Sequence, residues 1–179
     1  MDLINNKDFS QWTTLNDTIM GGSSQGICKN TSKGLLLEGT LVEENGGFVS
    51  CRSPVFESPF NLSKFTGLLI EIEGEGRTLK LSISCEKGKL DYSMFYYPRV
   101  KWTAPLDTKI TGISIIKVPF KLLQPVVRAK AVLMPVKFNS SCINQLQILY
   151  SKFGKPGELN PNFSSGPFKI VLRSIKAYE

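Results

Sequence analysis

Apolar residues in this chain recur in short runs, and many of the runs alternate. Leu79-Lys80-Leu81-Ser82-Ile83-Ser84 alternates without a fault, as a strand with one buried face does. Gly, Pro, Asn and Asp separate the runs, and no segment sustains a helical period. The pattern predicts strands at 35–42, 48–53, 67–73, 78–85, 91–97, 113–118, 143–150 and 168–177. The last of these, Phe168 to Ala177, is largely apolar and reads as a central strand that closes the fold. Short strands with turn signals between them indicate an all-β sandwich or jelly roll.

The breakers refine this picture. Pro54 and Pro59 bracket a loop. Pro119, Pro125 and Pro135 confine the 118–138 region to edge strand and loop. Gly74-Glu75-Gly76-Arg77 fits a hairpin turn, and Gly154 to Pro161 reads as a long surface loop. The 179 residues suit a single domain over 1–179, with no linker or repeat to divide them. With 41% hydrophobic and 21% charged residues, the composition is neither disordered nor membranous. No apolar run reaches the ~18 residues of a spanning helix. The first residues, Met1 to Asp8, lack the features of a signal peptide. An aqueous intracellular location is expected, cytoplasm or organelle interior, with membrane contact only through a partner.

Charge and chemistry narrow the function. There is no histidine, which removes histidine-based triads, imidazole proton shuttles and histidine-ligated metals. No glycine cluster has phosphate-loop or dinucleotide spacing, and the carboxylate pairs sit in turns. A non-enzymatic protein without metal or cofactor is expected. Cys28, Cys51, Cys85 and Cys142 form no metal-ligating spacing, and four reduced thiols are expected rather than two disulfides. Residues 1–75 carry a net −5 and residues 76–179 a net +12. The basic half either scatters over solvated strand faces or meets an acidic partner such as RNA.

Two glycine-rich blocks stand out. In Asn16-Asp17-Thr18-Ile19-Met20-Gly21-Gly22-Ser23-Ser24, asparagine and aspartate shape a turn, and Gly21-Gly22 permits close backbone approach. On residue chemistry this is first a structural corner with Met20 in the core. Its second reading is a loop presenting Asp17, Met20 and Ser23 to a partner. In Asn45-Gly46-Gly47-Phe48-Val49-Ser50-Cys51-Arg52, a turn leads into a strand. Phe48, Ser50 and Arg52 share one face there, and Val49 and Cys51 the other. Arg52 then either receives an anionic partner or bridges internally to Asp17. A third cluster holds Tyr92, Phe95, Tyr96, Tyr97 and Trp102, with Arg99 and Lys101 interleaved. It reads as core strand, protein interface or nucleic-acid contact, in that order.

Taken in order, Trp12, Asn16 to Ser23, Glu38-Gly39-Thr40, Asn45 to Arg52 and Phe65-Thr66-Gly67-Leu68 resemble the complex I intermediate-associated protein family of the thirty-kilodalton type. Gly74 to Arg77, Val118-Pro119-Phe120, Ser151 to Phe153, Gly157 to Pro161 and Gly166 to Ile170 continue the likeness. The resemblance implies a galactose-binding-like jelly-roll sandwich. It also implies a non-catalytic, chaperone-like role in assembling a membrane electron-transport complex, respiratory or photosynthetic, by holding a subunit or intermediate. Trp12, Gly21, Gly22, Asn45, Gly46, Gly47 and Phe48 are then the structural motif. Asn16, Asp17, Met20, Ser23, Arg52, Tyr97, Arg99, Trp102 and Arg128 are the candidate contacts. Departures exist: Gly-Glu-Gly-Arg replaces the family's Gly-Asp-Gly-Arg, and Arg128-Ala129-Lys130 replaces an Arg-Gly-Arg. A fold shared with sugar-binding domains leaves a carbohydrate- or small-ligand-binding module as the alternative.

Overall fold

The computed structural model describes residues 1–4, 9–85, 100–133 and 135–179. The predicted strand at 91–97 lies outside them. Among the described residues the strands are β1 (Asp2–Ile4), β2 (Thr13–Thr14), β3 (Gln25–Thr31), β4 (Gly34–Leu41), β5 (Phe48–Arg52), β6 (Gly67–Glu73) and β7 (Thr78–Ser84). They continue as β8 (Lys101–Asp107), β9 (Ser114–Pro119), β10 (Gln124–Val127), β11 (Lys130–Ala131), β12 (Gln145–Ser151) and β13 (Gly166–Tyr178).

The strands form two antiparallel sheets. One runs β3-β4-β13-β6-β9, with β1 also on β13; the other runs β11-β10-β8-β7-β12-β5-β2. The long β13 is central, as its apolar sequence predicts, and pairs with both β4 and β6. Alternation decides the core. Leu35, Leu37, Leu68, Ile70, Ile72, Ile170 and Leu172 come from one sheet, and Leu79, Leu81, Ile83, Leu146, Ile148 and Tyr150 from the other. All of them are buried between the sheets. Burying aliphatic side chains of this size contributes roughly 2 kcal/mol each before chain entropy is set against it.

Three local expectations change. Gly74 to Arg77 does form a turn, with the Arg77 amide donating to the Gly74 carbonyl and positive φ at Glu75 and Gly76. It joins β6 of one sheet to β7 of the other, so it is a corner between layers and not a hairpin. Arg77 fixes that corner by donating to the Pro167 carbonyl and lying over the Tyr150 ring. Second, β8 is absent from the predicted strands and forms in spite of Pro105. Its pairing to β10 stops at Thr103, so at Pro105 β8 has β7 alone beside it and the missing N–H is tolerated.

The third change concerns the thiols. Cys28 of β3 and Cys51 of β5 form a disulfide, with a Cα–Cα distance of 5.8 Å, where four reduced thiols were expected. The two residues belong to different sheets that converge at this edge, and separation in sequence hides such proximity. Cys85 and Cys142 lie outside this disulfide and are half-buried.

Candidate functional site

Asp17 organises one end of the sandwich. It opens a short 3-10 turn, Asp17–Met20, and its side chain is fully buried. One carboxylate oxygen accepts from the Ser24 amide at 3.0 Å. The other accepts from the Ser24 hydroxyl at 2.6 Å, the Gly47 amide at 2.7 Å and the Phe48 amide at 3.3 Å. Burial would raise the carboxyl pKa, but the Ser24, Gly47 and Phe48 hydrogen bonds outweigh it and hold the group below its ordinary value. The glycines follow from this packing. A Cβ at Gly22 or at Gly46 would collide with the Asp17 carboxylate, and Gly21 and Gly47 adopt positive φ. The two glycine blocks are therefore one unit, clamped by a buried aspartate.

The expected Asp17–Arg52 bridge does not form, because backbone amides and the Ser24 hydroxyl occupy the carboxylate. Arg52 points away, on the outer face of β5, in register with Gln147 and Thr13. The predicted split of β5 holds: Val49 and Cys51 are in the core, while Phe48 and Arg52 are half-buried on the other side. Asn16 donates to the Gly26 carbonyl at 2.9 Å and so braces the loop. Trp12 is buried against Phe9 in an edge-on contact.

What the clamp holds outward is apolar. Met20 is 73% exposed and Ile19 66%, which corrects the core placement of Met20. Ser23 is exposed beside them. A neighbouring loop adds Phe153 and Leu159, bridged to each other and both exposed. That loop is tied to the same unit, since the Lys152 amide donates to the Gly47 carbonyl at 2.9 Å. Asn160 anchors its base by donating to the carbonyls of Thr78 and Ser151. Sequence reading placed the loop on the surface but missed its two apolar tips, for which the turn-rich 154–161 stretch offers no periodic signal.

The remaining candidates lie elsewhere. Trp102 faces the interior, 7% exposed, with its ring edge-on to Phe138. Arg128 is exposed in the turn between β10 and β11, and β8, β7 and β12 separate that end of the sheet from β5. Tyr97 and Arg99 lie outside the described residues. The strands of the basic second half, β7–β13, divide between the two sheets. Part of its charge meets acidic residues of the first half, as in Arg173 with Glu73 and Lys176 with Glu71 and Asp2. Among the described residues no group of cysteines and carboxylates has the arrangement of a metal site. Among the described residues no helix is long and apolar enough to cross a membrane.

The outer face of the β2-to-β11 sheet has a different character. Gln124, Thr103, Ser82, Gln147, Arg52 and Thr13 follow one another across six strands as register partners. Lys101 donates to Gln147 at 3.1 Å, Gln147 donates to the Ser50 hydroxyl at 2.8 Å, and Ser50 donates to the Leu15 carbonyl at 2.6 Å.

The fold has solved counterparts. A family 11 carbohydrate-binding module from Clostridium thermocellum, in complex with a β-1,3-1,4-mixed-linked tetrasaccharide, superposes with a TM-score of 0.68 at 12% identity. The match covers 99% of this chain and 94% of that one. The same module of the cellulosomal cellulase Lic26A-Cel5E of Clostridium thermocellum gives 0.65 at 13% identity, over 96% and 91%. A family 30 carbohydrate-binding module gives 0.57 at 13% identity, over 93% and 82%. At such identities the likeness establishes the galactose-binding-like jelly-roll sandwich and nothing about ligands. No curated protein matches the chain. The family model of complex I intermediate-associated protein 30 matches residues 1–172, nearly the whole length. With the glycine blocks, the buried aspartate and the jelly-roll core in place, this chain belongs to the complex I intermediate-associated protein 30 family.

Proposed function

We propose that this protein is a non-catalytic assembly factor that holds a protein subunit or intermediate of a membrane electron-transport complex through the apolar tips of the Asp17-clamped loops. The observation that carries the reading is the exposure of Ile19 and Met20 on a turn whose base is immobilised by four hydrogen bonds to Asp17. A rigid scaffold with protruding apolar side chains loses little entropy on docking and supplies the desolvated centre of an interface. Family membership supports the same role. Contact with the membrane would then come through the partner, and the protein itself would stay in the aqueous compartment. The test is an affinity capture from native membranes with Met20→Asp and Leu159→Asp. The wild type retains subunits of a respiratory or photosynthetic complex, and the variants lose them while their thermal unfolding is unchanged. Full retention by both variants would remove these loops as the contact.

A second reading is a ligand-binding module. It is supported by Gln124, Thr103, Arg52 and Thr13 on the outer face of the β2-to-β11 sheet, which are exposed or half-buried and carry amide, hydroxyl and guanidinium groups.

A further inference from the structure

We infer that the Cys28–Cys51 disulfide is a thiol-operated switch that sets the rigidity of the Asp17-clamped loops and, through it, their hold on a partner. The inference concerns regulation of the site proposed first above and rests on that reading.

The bridge holds the frame in which the clamp is built. The segment that delivers Asp17, Thr13 to Asn16, runs as a strap between β3 and β5. These two strands belong to different sheets and share no ladder. Toward β5, Thr14 is the register partner of Cys51. The Leu15 amide donates to the Ser50 carbonyl at 3.0 Å, and the Ser50 hydroxyl donates to the Leu15 carbonyl at 2.6 Å. Toward β3, the Cys28 amide donates to the Thr14 hydroxyl at 2.9 Å, and the Asn16 side chain donates to the Gly26 carbonyl at 2.9 Å. Each of these contacts falls on Gly26, Cys28, Ser50 or Cys51, the two stretches that the disulfide ties together. β5 begins at Phe48, whose amide is itself a donor to Asp17. One covalent link therefore sets the width of the slot that the strap occupies, and with it the approach of Asp17 to its donors.

The two sulfurs differ in access. Cys51 is buried in the core, whereas Cys28 is half-buried on β3, at the edge of its sheet, between the exposed Ile27 and Lys29. Thiol exchange needs only one reachable sulfur, and bridges open to it are the labile and regulatory kind. The reductant is a small cellular thiol. Its thiolate attacks the Cys28 Sγ, the S–S bond breaks, and the electron pair leaves on the Cys51 Sγ, which takes up a proton. A second thiolate attacks the small-molecule sulfur of the mixed disulfide and releases Cys28, which is protonated in turn. The bridge gains two electrons, and two small thiols leave as one disulfide. Cys51 remains in the core as a small apolar thiol. The strap is then held toward β3 by two hydrogen bonds, one exposed and one part-buried, and such bonds resist local opening weakly. When the strap opens, Ile19 and Met20 lose their fixed base, and docking has to order them at the cost of affinity.

Hydrogen exchange of the full chain in glutathione buffers of increasing reduced-to-oxidised ratio tests the switch, with affinity capture from native membranes run on the same samples. The bridge is expected to open within the range of ratios used. On opening, exchange of the Ser24, Gly47 and Phe48 amides is expected to rise by about tenfold or more, with that of Leu81 and Ile148 in the central strands little changed. Capture of the partner is expected to fall with the bridge. Cys28→Ser should exchange fast at the three loop amides and capture weakly at every ratio, and the wild-type titration decides the question without the variant if that variant does not fold. A bridge that stays closed at every ratio would overturn the inference. An equal rise at Leu81 and Ile148 would make the bridge a cross-link for the fold alone and would overturn it too. Redox dependence that persists in Cys28→Ser would transfer the effect to Cys85 and Cys142, against the inference. Equal capture by both redox forms would likewise sink the switch and leave the assembly-factor reading standing. Failure of the bridged chain to capture any subunit would overturn that reading itself.

Discussion

The Asp17 carboxylate accepts a 2.7 Å hydrogen bond from the Gly47 amide, which lies 30 residues along the chain. This contact turns two separate glycine loops into one rigid end of the sandwich. Asp17→Ala would leave the Ser24, Gly47 and Phe48 amides and the Ser24 hydroxyl without their acceptor. A loss of about 3–5 kcal/mol in urea-unfolding free energy is expected. Asp17→Asn keeps the shape but turns an amide donor toward a donor, so it recovers only part of the loss. Gly46→Ala collides with the same carboxylate and is expected to destabilise in the same assay.

The clamp also has an acid signature. Its hydrogen bonds hold the Asp17 pKa below the unfolded value. Its contribution is therefore complete above about pH 4 and is lost as pH falls through the folded value. Acid-unfolding curves of wild type and Asp17→Asn should converge at low pH. Parallel curves down to the lowest pH would contradict the assignment.

Lys80 behaves in the opposite sense. Its folded pKa of about 8 lies below the ordinary 10.5, so the unfolded chain holds more protons between those values. Stability is expected to rise from pH 8 to 10.5, by about 3 kcal/mol if all of the shift is realised. Among the described residues the charged groups on the strands of the same face are Arg52, Lys101 and Asp107, and comparison with Lys80→Met isolates the Lys80 contribution. Lys80→Met should be the more stable protein at pH 7 and should lack the rise.

The Cys28–Cys51 disulfide closes a loop with a sequence separation of 23 and joins the two sheets. Its reduction, or Cys28→Ser, is expected to cost about 3 kcal/mol. Thermal unfolding with and without reductant measures the loss. An unchanged midpoint would mean that the cross-link contributes nothing in solution.

Cys85 should be a poor nucleophile. Burial pushes its thiol up to about 12, with the neighbouring Cys142 adding to the shift and the Asn139 amide opposing it. At neutral pH little thiolate is available. Alkylation of native protein followed by peptide mapping should find Cys85 largely unmodified, and complete labelling only after unfolding.

How much of this was legible beforehand differs by residue. The inward set of β7 and of β5 follows from alternation, because successive side chains of a strand point to opposite faces whatever lies beside them. The turn at Gly74 to Arg77 is equally local, since Glu75 and Gly76 adopt positive φ there. Family membership was legible from the order of the glycine blocks. Local chemistry could not say that the Gly74 turn changes sheets, or that Cys28 meets Cys51. Nor could it place Asp17 in the interior and Met20 in solvent, the reverse of what their polarity implies. Each of those outcomes depends on which distant backbone supplies the partner. An aspartate is buried only where amides converge on it, and a methionine stays exposed only where the glycines beneath it hold the turn clear of the core. Strand faces and turns are properties of neighbouring residues. The clamp and the cross-link come from the way the two sheets bring separated segments together.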